Sequence, residues 1–180
     1  QLKSITLGGA VTGLGIESSS FRNGCPHESV LTMDVLTGDG LVVTADPTGP
    51  HADLYYGYPN SYGTLGYALR LTIEIEPVKP FVAVEHVRFT DAQAAFTELA
   101  EISGSSTFRG KAIDFVDGVF FGIDEVYLTL GRFVDETTYT SDYTRRSIYY
   151  RSIAQRDHDV LTTRDYLWRW DTDWFWCSKA

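Results

Sequence analysis

Between Thr6 and Ser20 the chain reads TLGGAVTGLGIESSS: four glycines, three consecutive serines and a single charge, Glu17. Glycines admit positive φ and let a ligand lie against the main chain. Consecutive amides can form a concavity that holds an anion, and Ser18, Ser19 and Ser20 add uncharged donors. With no lysine present, the pattern suits a diphosphate gripped by neutral dipoles, or a planar ring laid on the backbone. A P-loop is excluded. Gly8 and Gly13 have its spacing, but Leu14 stands where the lysine belongs. The dinucleotide fingerprint fails as well: Gly13-Leu14-Gly15 begins it, but Ser18 occupies the third glycine position and ESSSFRNG has no helical apolar face. A loop between strands remains. A second glycine segment, Gly63-Thr64-Leu65-Gly66, precedes a long strand-like run. Two such segments in one small unit point to a ligand rather than to turns alone.

Other chemistry-bearing residues are sparse. His27, His51, His86 and His158 share no metal-ligand spacing, so no metal is expected and each is read as a surface or satisfied histidine. Glu17 would repel a diphosphate, so it is expected to point away or to pair with Arg22. Asp34, Asp39, Asp46 and Asp53 are placed at strand ends and turns, and Asp171 and Asp173 in a solvated turn. From Tyr166 to Trp176 aromatics recur at Tyr166, Trp168, Trp170, Trp174 and Trp176. That stretch fits a core strand, a pocket wall for a flat apolar substrate, or a peripheral membrane contact. Tyr166 and Arg169 are its candidates for proton donor or orienting cation. Arg145, Arg146, Arg151 and Arg156 read as a solvated helix face.

The 180 residues suffice for one large domain or two small ones, and the composition (43% hydrophobic, 22% charged) is globular. A net charge of −9 argues against a nucleic-acid partner and a polybasic membrane anchor. Cys25 and Cys177 have no metal spacing and read as free thiols of a reducing, cytoplasmic compartment. No apolar run approaches the roughly 20 residues of a membrane span.

The elements that must position these residues follow from periodicity. Leu2 to Thr6 reads as a strand-like lead. Residues 29–45 read as a hairpin turning at Thr37-Gly38-Asp39-Gly40. Asp46 to Pro50 is a loop and His51–Tyr58 one or two helical turns. Tyr67–Glu76 reads as a long strand with Leu69, Leu71, Ile73 and Ile75 on one face. Pro77 and Pro80 mark a change of unit. Phe81–Phe89 then reads as a strand. Thr90 opens a capping box and a helix to about Ile102, with Ala95, Phe96, Leu99 and Ile102 on one face. A loop covers Gly104 to Gly110. Asp117-Gly118 signals a hairpin, and Glu125–Phe133 a further strand. The β-α-β-β order suggests part of a ferredoxin-like unit in an antiparallel-rich α+β fold.

Thr6–Gly15 as T-L-G-G-x-x-x-G-x-G, the hydroxyls Ser18–Ser20, Asp53-Leu54-Tyr55-Tyr56 and Gly63–Gly66 together resemble the vanillyl-alcohol-oxidase (PCMH-type) FAD-binding fold. The form GLGIESSS, Gly13 to Ser20, is similar to the delta-24 sterol reductase branch, as is the basic-aromatic stretch Arg164–Trp170 with Phe175-Trp176. The likeness is strong over residues 5–80 and weaker over 81–180. It implies that residues 1–78 are the C-terminal part of an FAD-binding domain and 79–180 part of a substrate domain. On that basis the chain is a piece of a longer parent that supplies the other FAD subdomain, and alone it is inactive. FAD is expected to be non-covalent, with neither His27 nor Cys25 inside the loop. The implied flavin residues are Thr6, Leu7, Gly8, Gly9, Ala10, Gly13, Leu14, Gly15, Ile16, Ser18, Ser19 and Ser20, with Gly63, Thr64, Leu65 and Gly66 toward the nucleotide end. Gly8, Gly9, Gly13 and Gly15 are expected to be bare because a side chain would strike the ligand. The implied activity is C=C reduction of a small apolar, sterol-like substrate with NADPH as donor. An alcohol or hydroxy-acid oxidase, or a non-catalytic binding fragment, stays open.

Overall fold

Alternating apolar side chains fold Val30–Leu36 and Val42–Ala45 into an antiparallel hairpin, β1 and β2, as the sequence predicts. The computed structural model describes residues 2–144 and 147–171. Arg145, Arg146, Asp173, Trp174, Phe175, Trp176 and Cys177 therefore lie outside the described residues. The chain divides into two units, Ser4–Glu76 and Pro77 onward, and the first three residues group with the latter. Both units mix helices with antiparallel sheets, so the fold is α+β.

In the first unit β1 is the centre of a three-stranded sheet, flanked by β2 and by β3 (Tyr67–Ile73). Val30, Met33 and Val35 of β1 join Val11, Ala45 and Tyr58 in a buried cluster. Strict alternation in β3 does not survive. The register with β1 shifts between Asp34 and Val35, so Ala68 and not Leu69 takes the core side. A bulge of this kind moves one residue out of the period-two pattern. Leu69 is therefore exposed, and Ile75 lies beyond the end of the strand, 88% exposed.

The first glycine segment is not the expected loop. Leu7–Thr12 is a short helix, α1, and Ser20–Asn23 another, α2; Leu2 to Thr6 is no strand. The Thr6 side chain caps α1 by accepting from the Gly9 amide at 3.1 Å. Local capping outweighs the low helix propensity of the glycine pair. A 3-10 turn at Pro26–Ser29 leads into β1, and α3 (Ala52–Gly57) supplies the expected helical turns.

In the second unit Phe81–Phe89 forms β4 and Ala92–Ser105 forms α4. The cap of α4 is Asp91 and not Thr90: its carboxylate accepts from the Gln93 and Ala94 amides at 3.1 and 3.2 Å. Only Ala95 and Ile102 of the expected face are buried; Phe96 is 53% exposed. The supposed loop after the helix holds a two-residue hairpin, Thr107–Phe108 (β5) and Lys111–Ala112 (β6). Asp117-Gly118 lies inside one strand, β7 (Phe115–Gly122), which turns at Ile123-Asp124 into β8 (Glu125–Val134). Pairing of Asp117 with Thr129 and of Gly118 with Leu128 overrides the local turn signal.

After β8 come α5 (Tyr149–Ile153), β9 (His158–Thr162) and α6 (Thr163–Leu167). The sheet order is β7-β8-β4-β9, antiparallel at every contact. Because β8 runs against both neighbours, β4 and β7 share a direction across it. This is the split β-α-β arrangement, and β9 on the far side of β4 completes a β-α-β-β-α-β order. The sequence shows only its first half. Val82, Val84, Phe115, Tyr149, Ile153, Leu161 and Tyr166 form the core of this unit.

Candidate functional site

Hydrogen bonds join the two glycine-rich segments directly. The Tyr62 amide donates to the Thr12 carbonyl at 3.0 Å and the Asn60 amide to the Val11 carbonyl at 3.4 Å. These acceptors are the last carbonyls of α1, which have no partner inside so short a helix. From below, the buried Tyr58 hydroxyl donates to the Gly66 carbonyl at 3.3 Å, and the Tyr55 hydroxyl to the Val30 carbonyl at 2.5 Å. The hydrophobic core thus fixes both segments from one side.

Backbone strain gathers at this junction. Leu14, Asn60 and Tyr62 adopt positive φ of 51°, 60° and 51°, an uncommon state for residues with a side chain. Such strain concentrates where surrounding structure holds a ligand-binding conformation. Gly66 has φ +123°, and a Cβ there would lie 2.2 Å from the Leu36 carbonyl oxygen. Its bareness is required by the protein backbone. Gly13 and Gly15 also crowd α1 carbonyls, at 3.0 and 3.2 Å from the added Cβ. At Gly13 and Gly15 packing within the protein by itself already leaves little room for a side chain. Gly63 stands in open space, but its φ of +80° favours glycine; Gly8, in ordinary contact with Ala68, is a position that packing leaves unexplained.

Chemically the junction is neutral. Apart from Glu17, no charged residue occurs in 4–20 or 58–69. The Arg22 guanidinium grips Glu76 through two bonds of 2.8 and 2.7 Å, and these hold the Glu76 carboxyl below its usual range. Ser20 Oγ is used locally, accepting from the Glu17 amide at 2.9 Å. Ser61 Oγ is buried with no hydrogen-bond partner among the described residues. Exposed apolar side chains border it: Leu14 and Leu65 are 44% and 42% exposed, Tyr62 75% and Ile16 79%. A neutral polar junction with an apolar border fits a ligand that has a flat apolar ring and a polar chain. Sequence reasoning missed Val11, Thr12, Asn60, Ser61 and Tyr62. The Pro59-Asn60 turn signal was available, but the pairing partner on α1 was not.

Such a border leads to the question of relatives. No protein-family model matches the chain. A delta(24)-sterol reductase of Macaca fascicularis is 32% identical over 136 residues, 76% of this chain and 25% of the relative. The delta(24)-sterol reductase of Pisum sativum is 27% identical over 141 residues, with the same shares. Over three quarters of its length the chain is homologous to these FAD-linked oxidoreductases. Cytokinin dehydrogenase 10 of Oryza sativa also matches, at 31% over 114 residues, 63% of this chain and 20% of that protein. The chain spans about a quarter of the length of the sterol reductases it matches.

The two residues singled out as catalytic candidates, Tyr166 and Arg169, lie in the core of the second unit. They are 1% and 3% exposed. Arg169 donates to the Tyr166 carbonyl at 2.7 Å and pairs with Asp117. Its guanidinium lies 3.8 Å from the Tyr166 ring centroid. Burial alone would lower its pKa, but Tyr166 and Asp117 carry it upward, so it stays charged. The described part of the stretch, 166–171, is the end of a short helix followed by a turn, in place of a core strand. Of the basic stretch, Arg151 is exposed on α5 and Arg156 pairs with Asp159 at 3.3 Å. Asp34 stands mid-strand and not at an end, bound by Thr44 and Arg70. Cys25 is a free thiol. Among the described residues no group of histidine, cysteine and acidic side chains could hold a metal, and no helix is long and apolar enough to cross a membrane.

Proposed function

We propose that the chain is the part of an FAD-dependent oxidoreductase that presents two flavin-facing glycine segments, followed by a ferredoxin-like unit of its substrate domain. Flavin, when bound, supplies reversible hydride acceptance. The observation that carries the proposal is the joined, strained, uncharged junction of α1 with residues 60–66, including the unpartnered Ser61 hydroxyl. Thr6–Gly15, Ile16, Ser18–Ser20 and Gly63–Gly66 would hold the cofactor without a covalent bond. Amides and hydroxyls there orient a polar chain at no charge cost, while Leu14, Ile16, Tyr62 and Leu65 exclude water.

For the parent we propose reduction of a C=C bond in a small apolar, sterol-like substrate, with NADPH as donor and the remaining FAD subdomain as partner. The names of most relatives support it. The similarity to a cytokinin dehydrogenase supports a second reading in direction only, oxidation of the substrate through the same cofactor, for which we take an alcohol or hydroxy acid as the substrate class. We place the parent in the cytoplasm, with a peripheral membrane contact.

The test is a visible absorption spectrum of the 180-residue chain and of its longer parent. A yellow parent that releases free FAD on denaturation is the expected result. A colourless parent that binds no added FAD overturns the proposal and leaves a non-catalytic binding fragment. Bleaching by NADPH followed by return of colour on adding a sterol-like olefin, as against direct bleaching by an alcohol, separates the two activities.

A further inference from the structure

We infer that the second unit holds a separate binding pocket for a small organic acid. A cavity of about 220 Å³ opens on the face of the sheet opposite His86 and Thr129. Its floor is set by register. Arg132, Ala83 and Val160 lie side by side across β8, β4 and β9, and Leu130, Glu85 and His158 form the next row. A small residue between larger neighbours leaves a depression, and Ala83 is that residue. Phe108 and Ile113, both buried, add apolar wall, and Tyr139 stands exposed at the rim.

The charges decide the ligand. Glu85 is matched by Arg109 at 3.2 Å, so that pair is neutral. Asp159 lines the cavity too, but its carboxylate is taken by Ser141 at 2.7 Å, Tyr143 at 2.5 Å and Arg156 at 3.3 Å. Lys111 and Arg132 both line the cavity, and neither side chain has a hydrogen bond or ion pair among the described residues. Two unmatched cations on one small cavity are unexpected in a chain of net charge −9. Their uncompensated field draws an anion, and Arg132 offers the planar fork that matches a carboxylate. The apolar lining of Ala83, Val160, Phe108 and Ile113 asks for a hydrocarbon body behind that carboxylate. Drug-sized ligands need roughly 300–1,000 Å³. The occupant is therefore smaller, a compact aromatic or branched acid, and far too small to be a sterol. The inference stands independently of flavin binding, because every residue it uses lies in the second unit.

Titration calorimetry of the full chain with benzoate tests it, with benzamide as the uncharged isostere and inorganic phosphate as the bare anion. Benzoate is expected to bind one to one, at least tenfold more tightly than either. Arg132→Gln is expected to weaken it at least tenfold. Lys111→Gln, at an exposed position, is expected to weaken it severalfold and stands as the test should Arg132→Gln misfold. Equal binding of benzoate and benzamide, phosphate binding as tightly as benzoate, no saturable binding, or an unchanged Lys111→Gln variant each overturns the inference.

Discussion

His86 is the titratable side chain most altered by this fold. It is 5% exposed on β4, with Nδ1 2.8 Å from the Thr129 hydroxyl and Nε2 without a partner among the described residues. Burial, chiefly, pulls its pKa from 6.5 to about 4. In the unfolded chain it protonates near its ordinary value; in the folded chain it stays neutral until far lower pH. The unfolded state therefore binds the extra proton first. Stability is full above about pH 6.5 and falls as pH drops toward 4, by up to roughly 3 kcal/mol. Urea unfolding across that window should show the loss in the parent and a flatter profile in His86→Gln, which cannot titrate. Identical profiles would assign the loss to other groups. The sequence gives no sign of this: a histidine in FVAVEHVRF looks like any residue of an alternating strand until Thr129 and Tyr149 are placed around it.

Local signals at the level of elements proved readable wherever the side chains that decide them are neighbours in sequence. β1, β2, α3, β4 and β8 follow directly from alternation and turn chemistry. The failures share a cause. Asp117-Gly118 is a turn signal silenced by cross-strand pairing, and Leu69 leaves its face because a bulge forms against β1. α1 hides behind two glycines, and its role emerges only when residues 60–62 arrive from far along the chain. Thr90-Asp91 offers two capping residues in a row, and the geometry selects the second. Asp91→Ala should then cost about 1 kcal/mol, the usual loss for a removed N-cap, while Thr90→Ala should change stability by much less. Thermal melts of the two variants decide between them. A larger loss at Thr90 would return the cap to the position that the capping-box pattern favours.

Two hydrophobic cores, not one, hold the whole molecule. One consists of Val11, Val30, Met33, Val35, Ala45 and Tyr58, all from the Ser4–Glu76 unit. The other draws on Val82, Val84, Tyr149, Leu161 and Tyr166, all from the Pro77-onward unit. Separate cores allow separate functions: the first supports the uncharged glycine junction, the second the cationic cavity. They also allow separate opening, since cooperative units in native proteins follow contiguous packing. Met33→Ala and Leu161→Ala each remove a buried side chain from one core and should each cost about 2–5 kcal/mol there. Hydrogen exchange read segment by segment distinguishes the outcomes. Met33→Ala should speed exchange in β1, β2 and β3 and leave β4, β8 and β9 as they were; Leu161→Ala should do the reverse. Faster exchange throughout the chain in either variant would mean that the two cores open as one cooperative unit, and a ligand bound at either site would then stabilise both.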